Sequence, residues 1–425
     1  MKKIYYLLLL TLPFLFQSCL KEEEDIFGKD PSVRVEEALK NYKKVLASAE
    51  NGWLLEYYAE TNQVYGGYNF AMKFSNSDVT AYFELADPTT SMTSLYQLIS
   101  DDGPVLSFDT YNPFLHFFAD PSSDMPDAYE GDYEFILMGI SEDGSTINLK
   151  GKKTGNRMVM KQLAESPDTY LSKVGNIEKA CIAPAYSMTV NNKIIDCSIN
   201  NHQLVYQYAD ESDAIESGKV AFCYTSTGIR LYEATEIAGK TVQVFTLENQ
   251  QLVSEDGNVV ISLIFPPANE TLAAMLSPTS SHILGLNFDY LKDTYNMSDA
   301  VKGWLQNACS QNLENMGELL VELYFRAYEG KSCFCYYSND GEKNWAVMYN
   351  YELKAVSGTE NKVVFSPQCE EGLNAEYYPH LKPFVNKVLA EGTYLVTAND
   401  KSNPTEFRLT SEKEPNIWFD VYVLK

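Results

Sequence analysis

Five acidic residues occupy a short, proline-containing stretch of the chain. Asp120, Asp124 and Asp127 lie close together, and Glu130 and Asp132 follow. Calcium takes about six to eight oxygen ligands, and carboxylates in a stiff loop supply such oxygens. The sequence therefore predicts a calcium site at Asp120, Asp124 and Asp127. The spacing departs from that of an EF-hand, whose central glycine is missing, so a solvated acidic loop is the alternative.

Two cysteines form a second candidate for metal chemistry. Cys333 and Cys335 flank Phe334 in an apparent strand, where alternate residues share a face. Such a pair is half of a typical zinc site, but the sequence offers no second pair and no nearby histidine. We therefore expect buried free thiols rather than a metal site. Seven cysteines follow Cys19, an odd number, and their spacing gives no disulfide connectivity.

Recognised catalytic motifs are missing from the sequence. It contains no Gly-x-Ser-x-Gly elbow, no His-Glu-x-x-His and no Gly-x-Gly-x-x-Gly after a strand. Residues 151–154 read Gly-Lys-Lys-Thr, but no helical pattern follows, so a hairpin turn before Arg157 explains them better than a phosphate loop. Four histidines lie far apart in the chain: His116, His202, His282 and His380. We predict no catalytic residues, and the alternative is a hydrolase whose site is assembled from dispersed residues.

The first residues have the composition of a signal peptide. Met1-Lys2-Lys3 is cationic, and residues 4–16 are apolar except for Thr11 and Pro13. As a helix, this apolar run would rise only about 20 Å, which is shorter than the roughly 30 Å hydrocarbon core of a membrane. We therefore predict a signal peptide over residues 1–18 rather than a permanent transmembrane span.

The end of this segment, Leu15-Phe16-Gln17-Ser18-Cys19, resembles the lipobox of bacterial lipoproteins. The resemblance implies a diacylglyceryl thioether on Cys19, cleavage before it, and acylation of the new amine, for example by palmitate. Several acyl chains, at about 0.8 kcal/mol per buried methylene, make a stable membrane anchor. Phe16 and Gln17 are bulkier than the strictest form of the motif, and ordinary signal cleavage with an incidental Cys19 is the alternative.

An acidic run follows the cysteine and consists, after Leu20, of Lys21, Glu22, Glu23, Glu24 and Asp25. It resembles the surface-export signal of Bacteroidota lipoproteins, in which acidic residues beside the acylated cysteine accompany display on the outer face of the outer membrane. The resemblance implies a lipid-anchored outer-membrane protein exposed at the cell surface. A solvated tether over residues 19–32 is the alternative, and both interpretations can hold together.

Composition limits what the remaining body can do. The formal net charge is −25, and loss of Lys2 and Lys3 with the signal peptide makes it −27, which argues against nucleic acid as a partner. Hydrophobic residues make up 45% of the chain and charged residues 21%, enough for a folded core. The 30 tyrosines and 4 tryptophans suit stacking on sugars or packing at interfaces, although strands favour aromatic residues anyway.

Periodicity predicts an α+β, strand-dominated fold. Apolar residues recur every three or four positions from Val33 to Glu50, which indicates an N-terminal amphipathic helix capped by Ser32 and stopped by Asn51-Gly52. Trp53 is expected to pack the helix end onto a sheet. A few further helices are predicted, at residues 298–320 and 381–390.

The strands that follow are expected to form antiparallel sheets. Apolar and polar residues alternate from Tyr68 to Phe74 and from Val79 to Leu85, which indicates a hairpin. Polar breaks divide the chain, and no fixed-period repeat is present. The predicted regions are a signal peptide (1–18), an acidic tether (19–32), an N-terminal helix plus antiparallel sheet (33–165), a central β-rich region (166–295) and a C-terminal α+β region (296–425).

Several short motifs together resemble an uncharacterised family of Bacteroidota surface lipoproteins, a domain of unknown function. The likeness spans most of the chain after the tether and is strongest from Val33 to Leu163. The motifs are Asn51-Gly52-Trp53, Gly66-Gly67-Tyr68-Asn69-Phe70, Leu106-Ser107-Phe108-Asp109-Thr110-Tyr111-Asn112, Gly131-Asp132-Tyr133-Glu134-Phe135 and Leu149-Lys150-Gly151-Lys152-Lys153.

The resemblance implies company with outer-membrane nutrient-uptake systems of the starch-utilisation type, and it supplies no catalytic residues. We therefore expect a ligand- or partner-binding accessory of glycan or peptide uptake, beside an outer-membrane transporter. Its expected partners are the membrane, through the lipid anchor, and a glycan or peptide ligand. No cofactor is expected other than calcium. The alternatives are the hydrolase and a structural or adhesive surface protein.

Overall fold

The structure is a computed structural model that describes residues 30–101, 103–123, 125–210 and 212–424. Cys19 and the acidic run from Lys21 to Asp25 lie outside the described residues, so their roles stay predictions. Within the described chain, no helix is both long and apolar enough to span a membrane. The fold is strand-dominated, with antiparallel sheets and an N-terminal helix, which confirms the predicted fold class.

The described residues form five α-helices, of which the second and third were not predicted from the sequence. They are α1 (Pro31–Leu46), α2 (Pro167–Cys181), α3 (Ala268–Met275), α4 (Asp299–Met316) and α5 (Lys382–Ala390). The predicted helices near residues 298–320 and 381–390 correspond to α4 and α5. A 3-10 turn, Ala375–Tyr377, precedes α5.

Helix α1 differs from its prediction at both ends. Pro31 takes the first helical position, where a residue without an N–H loses no hydrogen bond, so Ser32 lies inside the helix and does not cap it. The helix ends at Leu46 rather than at Glu50. Gly52 adopts a φ of 85° in the turn that leads into the first strand. The Trp53 indole N–H donates to the Leu46 carbonyl at 2.9 Å, so Trp53 packs the helix end onto the sheet, as predicted.

Nine strands form the first antiparallel sheet, in the order β4-β3-β2-β1-β9-β8-β7-β6-β5. They are β1 (Trp53–Tyr58), β2 (Gly67–Phe74), β3 (Asp78–Phe83), β4 (Met92–Leu95), β5 (Gln97–Ser100), β6 (Pro104–Ser107), β7 (Glu134–Ile140), β8 (Thr146–Gly151) and β9 (Arg157–Gln162). The predicted hairpin is present as β2 and β3, in which Phe70 faces Phe83 across the pair.

The two outermost strands of this sheet, β4 and β5, are separated in the chain by Tyr96 alone. Because β4 pairs with β3 and β5 pairs with β6, the segment from Met92 to Ser100 joins the two ends of the sheet. Counted as one bent strand, it closes the sheet into an eight-stranded barrel. Tyr96 is buried at the bend, where its ring contacts Phe74 and its hydroxyl donates to the Ser75 carbonyl at 2.9 Å.

The inside of this first barrel is filled with aromatic side chains. Tyr57 contacts Phe70, Phe118 and Phe135, with ring centroids 5.2 to 6.2 Å apart. The β-strand period of two places alternate residues of each strand on this inner face. Such a core buries large apolar area and leaves the outer face of the same strands for other contacts.

A second barrel follows along the chain. This barrel is closed, and each of its strands pairs with the next strand in sequence. Its strands are β10 (Ala185–Val190), β11 (Lys193–Asn200), β12 (Gln203–Ala209), β13 (Ile215–Tyr224), β14 (Gly228–Ile237), β15 (Lys240–Glu248), β16 (Gln251–Ser254) and β17 (Val259–Ile264). Helix α2 enters just before it and contacts β13 and β14, as well as β2 and β3 of the first barrel.

The third sheet has the order β24-β25-β27-β28-β29-β18-β21-β22-β23-β26. Its strands are β18 (Ile283–Leu286), β21 (Leu319–Tyr328), β22 (Lys331–Asn339), β23 (Asn344–Tyr351), β24 (Leu353–Ala355), β25 (Lys362–Phe365), β26 (Glu370–Glu371), β27 (Thr393–Ala398), β28 (Glu406–Ser411) and β29 (Trp418–Val423). A small hairpin of β19 (Phe288–Asp289) and β20 (Thr294–Tyr295) stands apart. Only Glu352 separates β23 from β24, so this sheet also returns on itself through a bent strand.

The three barrels repeat one topology. Each consists of a helix followed by an eight-stranded meander, and in the first and third the fourth strand is the bent one. In all three, the leading helix contacts the fourth and fifth strands: α1 contacts β5 and β6, α2 contacts β13 and β14, and α3 contacts β24 and β25. The chain therefore repeats in topology without a repeat in sequence.

The described chain forms two compact units. The first barrel, α2 and nearly all of the second barrel belong to one unit, which takes in Tyr186–Leu263 and the chain before Ala183. The third barrel belongs to the other unit, which contains Ala183–Ala185 and the chain from Ile264 onward. The polar residues described next all lie in the first unit.

Candidate ligand-binding cleft

Three neighbouring strands of the first barrel, β1, β2 and β9, carry polar side chains on their outer face. Glu56 on β1, Asn69 on β2 and Lys161 on β9 point away from the aromatic core, because neighbours along a strand alternate between its two faces. Glu56 stands among apolar and aromatic residues in a strand that is buried at every position. A charged group in such surroundings needs a charged or hydrogen-bonding partner.

Two cations provide those partners. Lys161 Nζ lies 2.9 Å from Glu56 Oε1, and Arg230 Nε on β14 lies 3.3 Å from Glu56 Oε2. The Glu56 side chain is 9% exposed, whereas Lys161 and Arg230 keep 35% and 29% of their side chains exposed. The carboxylate is therefore buried between two cations that still reach solvent, and they have hydrogen-bonding capacity left for a ligand.

A cleft of about 380 Å³ includes this ion cluster in its lining. Leu54, Leu163 and Val244 give it apolar surface, and the turn between β13 and β14 gives it a polar rim at residues 225–227. The first barrel, the second barrel and α2 all contribute. A mixed lining and a volume within about 300–1,000 Å³ are typical of small-molecule sites.

Tyr170 of α2 completes the lining without adding charge. Burial raises the pKa of its phenol, and the nearby negative charge of Glu56 raises it further. The phenol therefore stays neutral. Glu165, the other acidic residue of the lining, pairs with Lys173 at 2.6 Å. The formal charges of the lining residues, two acids and two cations, sum to zero. In a chain of formal net charge −25, this is a locally neutral surface rich in hydrogen-bonding groups.

A second polar cluster lies on the same outer face around Glu84, which follows β3. Glu84 Oε2 accepts hydrogen bonds from the Asn69 backbone N–H at 2.6 Å and from Asn69 Nδ2 at 2.7 Å. Its Oε1 is buried and has no hydrogen-bond partner among the described residues. Burial raises the pKa of Glu84 to about 7, while the charge of His202 and the Asn69 hydrogen bonds oppose that rise.

His202 brings the second barrel against this cluster. It lies in the turn between β11 and β12, its Nδ1 contacts the Gly67 carbonyl at 2.7 Å, and its Nε2 lies 3.7 Å from Glu178 Oε1 of α2. Burial alone would lower the pKa of His202, but the nearby Glu178 carboxylate, the charge of Glu84 and the Gly67 carbonyl outweigh it, and the pKa is raised. The ring also stacks on Tyr68, with centroids 4.4 Å apart.

Two adjacent glycines permit this close approach. A Cβ on Gly66 would lie 2.2 Å from the His202 Cβ, and a Cβ on Gly67 would lie 2.4 Å from the Cys223 sulfur. No side chain fits at either distance without displacing a neighbour. The Gly66-Gly67 pair, one of the family-like motifs of the sequence, therefore serves the joint between the first and second barrels.

The predicted calcium residues are only partly described. Asp120 and Asp127 belong to the described chain, whereas Asp124 lies outside it. Among the residues that are described, no group of three His, Cys, Asp or Glu side chains could hold a metal ion. Because the predicted triad includes Asp124, the calcium site stays a prediction.

The Gly-Lys-Lys-Thr loop does bind an anion, but the anion is the protein's own. The carboxylate of Asp132 accepts hydrogen bonds from the backbone N–H groups of Lys153 and Thr154 and from the Thr154 hydroxyl. The loop forms the turn between β8 and β9, which confirms the predicted hairpin before Arg157. Asp132 is thereby committed to the loop and is not a free metal ligand.

The cysteines after position 19 are all unpaired. Cys333 and Cys335 are buried and form no disulfide, and the choice between free thiols and metal ligands stays a prediction. The remaining five are Cys181, Cys197, Cys223, Cys309 and Cys369.

Sequence reasoning missed the Glu56 and Glu84 clusters. One signal was present, because Glu56 is a lone charge in the run Trp-Leu-Leu-Glu-Tyr-Tyr. Its partners Lys161 and Arg230, and the pairing of Glu84 with His202, depend on barrel closure and on docking of one barrel on the other. Neither barrel closure nor docking of the barrels can be predicted from a local sequence pattern.

Comparison with known proteins identifies a family and little else. A family model described as a domain of unknown function (DUF4302) matches residues 23–249, which hold the first barrel and most of the second. No curated protein matches the chain.

Two solved structures that match the chain superpose on it poorly. The DNA polymerase III beta chain of Streptococcus pneumoniae TIGR4 is 12% identical over 92% of this chain and 97% of its own, with a TM-score of 0.13. A DNA polymerase sliding clamp of Pseudomonas aeruginosa is 10% identical over 92% of this chain and 98% of its own, also with a TM-score of 0.13. Superpositions this poor support no transfer of fold or function.

Proposed function

The chain belongs to the family described as a domain of unknown function (DUF4302), and we propose that it is a lipid-anchored protein that binds a small, uncharged, polyhydroxylated ligand in the cleft around Glu56. The observation that carries the proposal is the buried Glu56 carboxylate, held between Lys161 and Arg230 in the lining of a mixed-polarity cleft. A saccharide is the ligand class that suits this arrangement.

The charge balance of the cleft favours a neutral ligand over an ionic one. A charged ligand would have to compete with the ion pairs that Glu56 already makes. Sugar hydroxyls both donate and accept hydrogen bonds, so a single hydroxyl can bridge the carboxylate of Glu56 and a neighbouring cation. The apolar surface from Leu54, Leu163 and Val244 suits the C–H faces of a sugar ring.

The cellular setting rests on the sequence. The lipobox ending at Cys19 supports a lipid anchor, and the acidic residues from Lys21 to Asp25 support display on the outer face of the outer membrane. Resemblance to Bacteroidota surface lipoproteins of nutrient uptake supports a role beside an outer-membrane transporter. In this proposal the protein captures a glycan fragment for that transporter. The peptide ligand, the adhesive role and the hydrolase remain outcomes of the test.

The test is calorimetric titration of the purified mature chain with panels of oligosaccharides and short peptides, with and without calcium. We expect a saccharide to bind, and Thr227→Trp to weaken binding about tenfold or more by filling the rim of the cleft. Thr227 is exposed, so the substitution removes no buried contact. Glu56→Gln should weaken binding by a similar factor, and its melting temperature must be measured beside it because Glu56 is buried.

Glu412→Gln is the matched control. It breaks an exposed ion pair with Lys362 in the other unit, and saccharide affinity should be unchanged. If Thr227→Trp left saccharide binding intact, the binding site would lie outside this cleft. If only peptides bound, the ligand would be a peptide and not a saccharide. Release of product from any panel member would favour the hydrolase.

A further inference from the structure

Three sulfur atoms gather on the outer face of the third barrel. Cys333 and Cys335 project from the same face of β22, because residues two apart in a strand do so, and Met348 on β23 lies directly opposite Cys335 in the strand register. Cys333 Sγ is 3.7 Å from Met348 Sδ. All three side chains are buried and form a cluster separate from the barrel core.

One sulfur pair of this cluster, Cys333 Sγ and Met348 Sδ, has the spacing of ligands that share one metal ion. Metal–sulfur bonds are about 2.3 Å long, and two such bonds at a tetrahedral or trigonal angle hold their sulfurs about 3.8–4.0 Å apart. The distance between Cys333 and Met348 is already close to that value. We propose that Cys333, Cys335 and Met348 form a binding site for a soft monovalent metal ion, with cuprous copper as the best match.

The ligand types separate copper from zinc. Thiolate and thioether sulfur together select Cu(I), whereas structural zinc takes four ligands drawn from thiolate, imidazole and carboxylate. No described group of three His, Cys, Asp or Glu residues is arranged to hold a metal, so zinc lacks a full ligand set around this pair. Cu(I) is satisfied by two or three soft ligands. The thioether of Met348 is therefore the ligand that favours Cu(I) over zinc at this site.

A nearby cation balances the charge of the occupied site. When Cu(I) binds, each of the two thiols releases its proton to solvent, and two thiolates with one Cu(I) leave a net charge of −1. Arg326 on β21 lies directly opposite Cys333 in the register. Its guanidinium contributes +1 beside the sulfurs and offsets the negative charge that the two thiolates and Cu(I) leave.

The cover over the sulfurs is a pair of tyrosine rings. Tyr324 and Tyr337 pack against the cluster, are only partly buried themselves, and meet edge to face with centroids 5.6 Å apart. Rotation of partly exposed side chains is fast. An ion can therefore reach the sulfurs without unfolding of the sheet.

The test is titration of the purified chain with Cu(I) under anaerobic conditions, in competition with a chromogenic Cu(I) chelator. We expect a single ion per chain. Met348→Leu, which keeps the side-chain volume, should weaken Cu(I) binding about tenfold to a hundredfold, and Cys335→Ser should abolish it. X-ray absorption of the loaded protein should show sulfur as the coordinating atom.

Cys309→Ser is the matched control, because Cys309 is a buried free thiol of α4 in the same unit and lies outside the sulfur cluster. Its Cu(I) affinity should equal that of the unmodified chain. The proposal is overturned if Met348→Leu and Cys335→Ser bind Cu(I) as the unmodified chain does, or if Zn(II) binds the cluster more tightly than Cu(I). Saccharide binding plays no part in this measurement, so the two proposals fail independently.

Discussion

Glu84 and His202 change stability with pH in the same direction, although one is an acid and the other a base. Folding raises the pKa of both groups. For each, the stability present below the pKa of the unfolded chain is lost as pH rises through the folded pKa. The window for Glu84 runs from 4.5 to about 7, and that for His202 starts at 6.5 and extends upward. The joint between the first and second barrels should therefore weaken as pH rises.

Glu84→Gln tests this directly. Glutamine keeps an oxygen for the Asn69 hydrogen bonds but does not titrate. Between about pH 5 and about pH 8, the unfolding free energy of the variant should therefore fall by about 2–3 kcal/mol less than that of the unmodified chain. Denaturant unfolding at several pH values measures the difference. Glu371→Gln, which removes an exposed partner of Lys382, should leave the pH dependence unchanged. Equal pH slopes for Glu84→Gln and the unmodified chain would refute the prediction.

At the scale of elements, the docking of one barrel on another rests on two glycines. Gly67 lies against Cys223 and Tyr58, with no room for a methyl group. Gly67→Ala should lower the unfolding free energy by about 2–3 kcal/mol, because the overpacked Cβ must displace buried neighbours. Thermal or denaturant unfolding of the purified chain gives the measurement.

Gly175→Ala is a control that should change the unfolding free energy in the opposite direction. Gly175 lies within α2 and has open space where a Cβ would go, so alanine there should stabilise the chain by about 0.5–1 kcal/mol. If both substitutions changed stability by the same amount, the effect of Gly67 would belong to glycine in general and not to the joint.

The elements also show what a single sequence can reveal. Alternation over Tyr68–Phe74 predicted β2, and the apolar stripe after Val33 predicted α1, because both signals are local. Helix α2 escaped prediction because few of its residues are buried, namely Pro167, Leu171, Val174 and Cys181.

Long-range geometry left no trace in the local pattern. His202 meets Gly67 from 135 residues away, and β1 pairs with β9 across the whole first barrel. The Gly66-Gly67 motif could be recognised in the sequence. Its structural role could not, because that role depends on His202 in the second barrel. The same holds for Cys333, whose third sulfur neighbour Met348 follows only from the register of β22 and β23.

For the whole molecule, the lipid anchor is the prediction with the largest consequence. Cys19→Ala should move the protein from the membrane fraction to the culture medium or periplasm, because it removes the attachment point of the predicted acyl chains and the body itself is acidic. Fractionation followed by immunoblotting measures this, and mass spectrometry of the unmodified protein should find an acylated Cys19 at its amino terminus. Cys197→Ala should stay with the membrane. An unmodified amino terminus downstream of Cys19 would end the anchor hypothesis.

The bent strands at Tyr96 and Glu352 have a further consequence for such a molecule. If the predicted lipid anchor is present, chains lie side by side in two dimensions, where an exposed strand edge would template its neighbours into fibrils. A sheet whose last strand leads straight back to its first offers little main chain for that pairing. Crowding at a surface would then be tolerable for the predicted lipoprotein, because the strand edges left open in the first sheet are only four residues long.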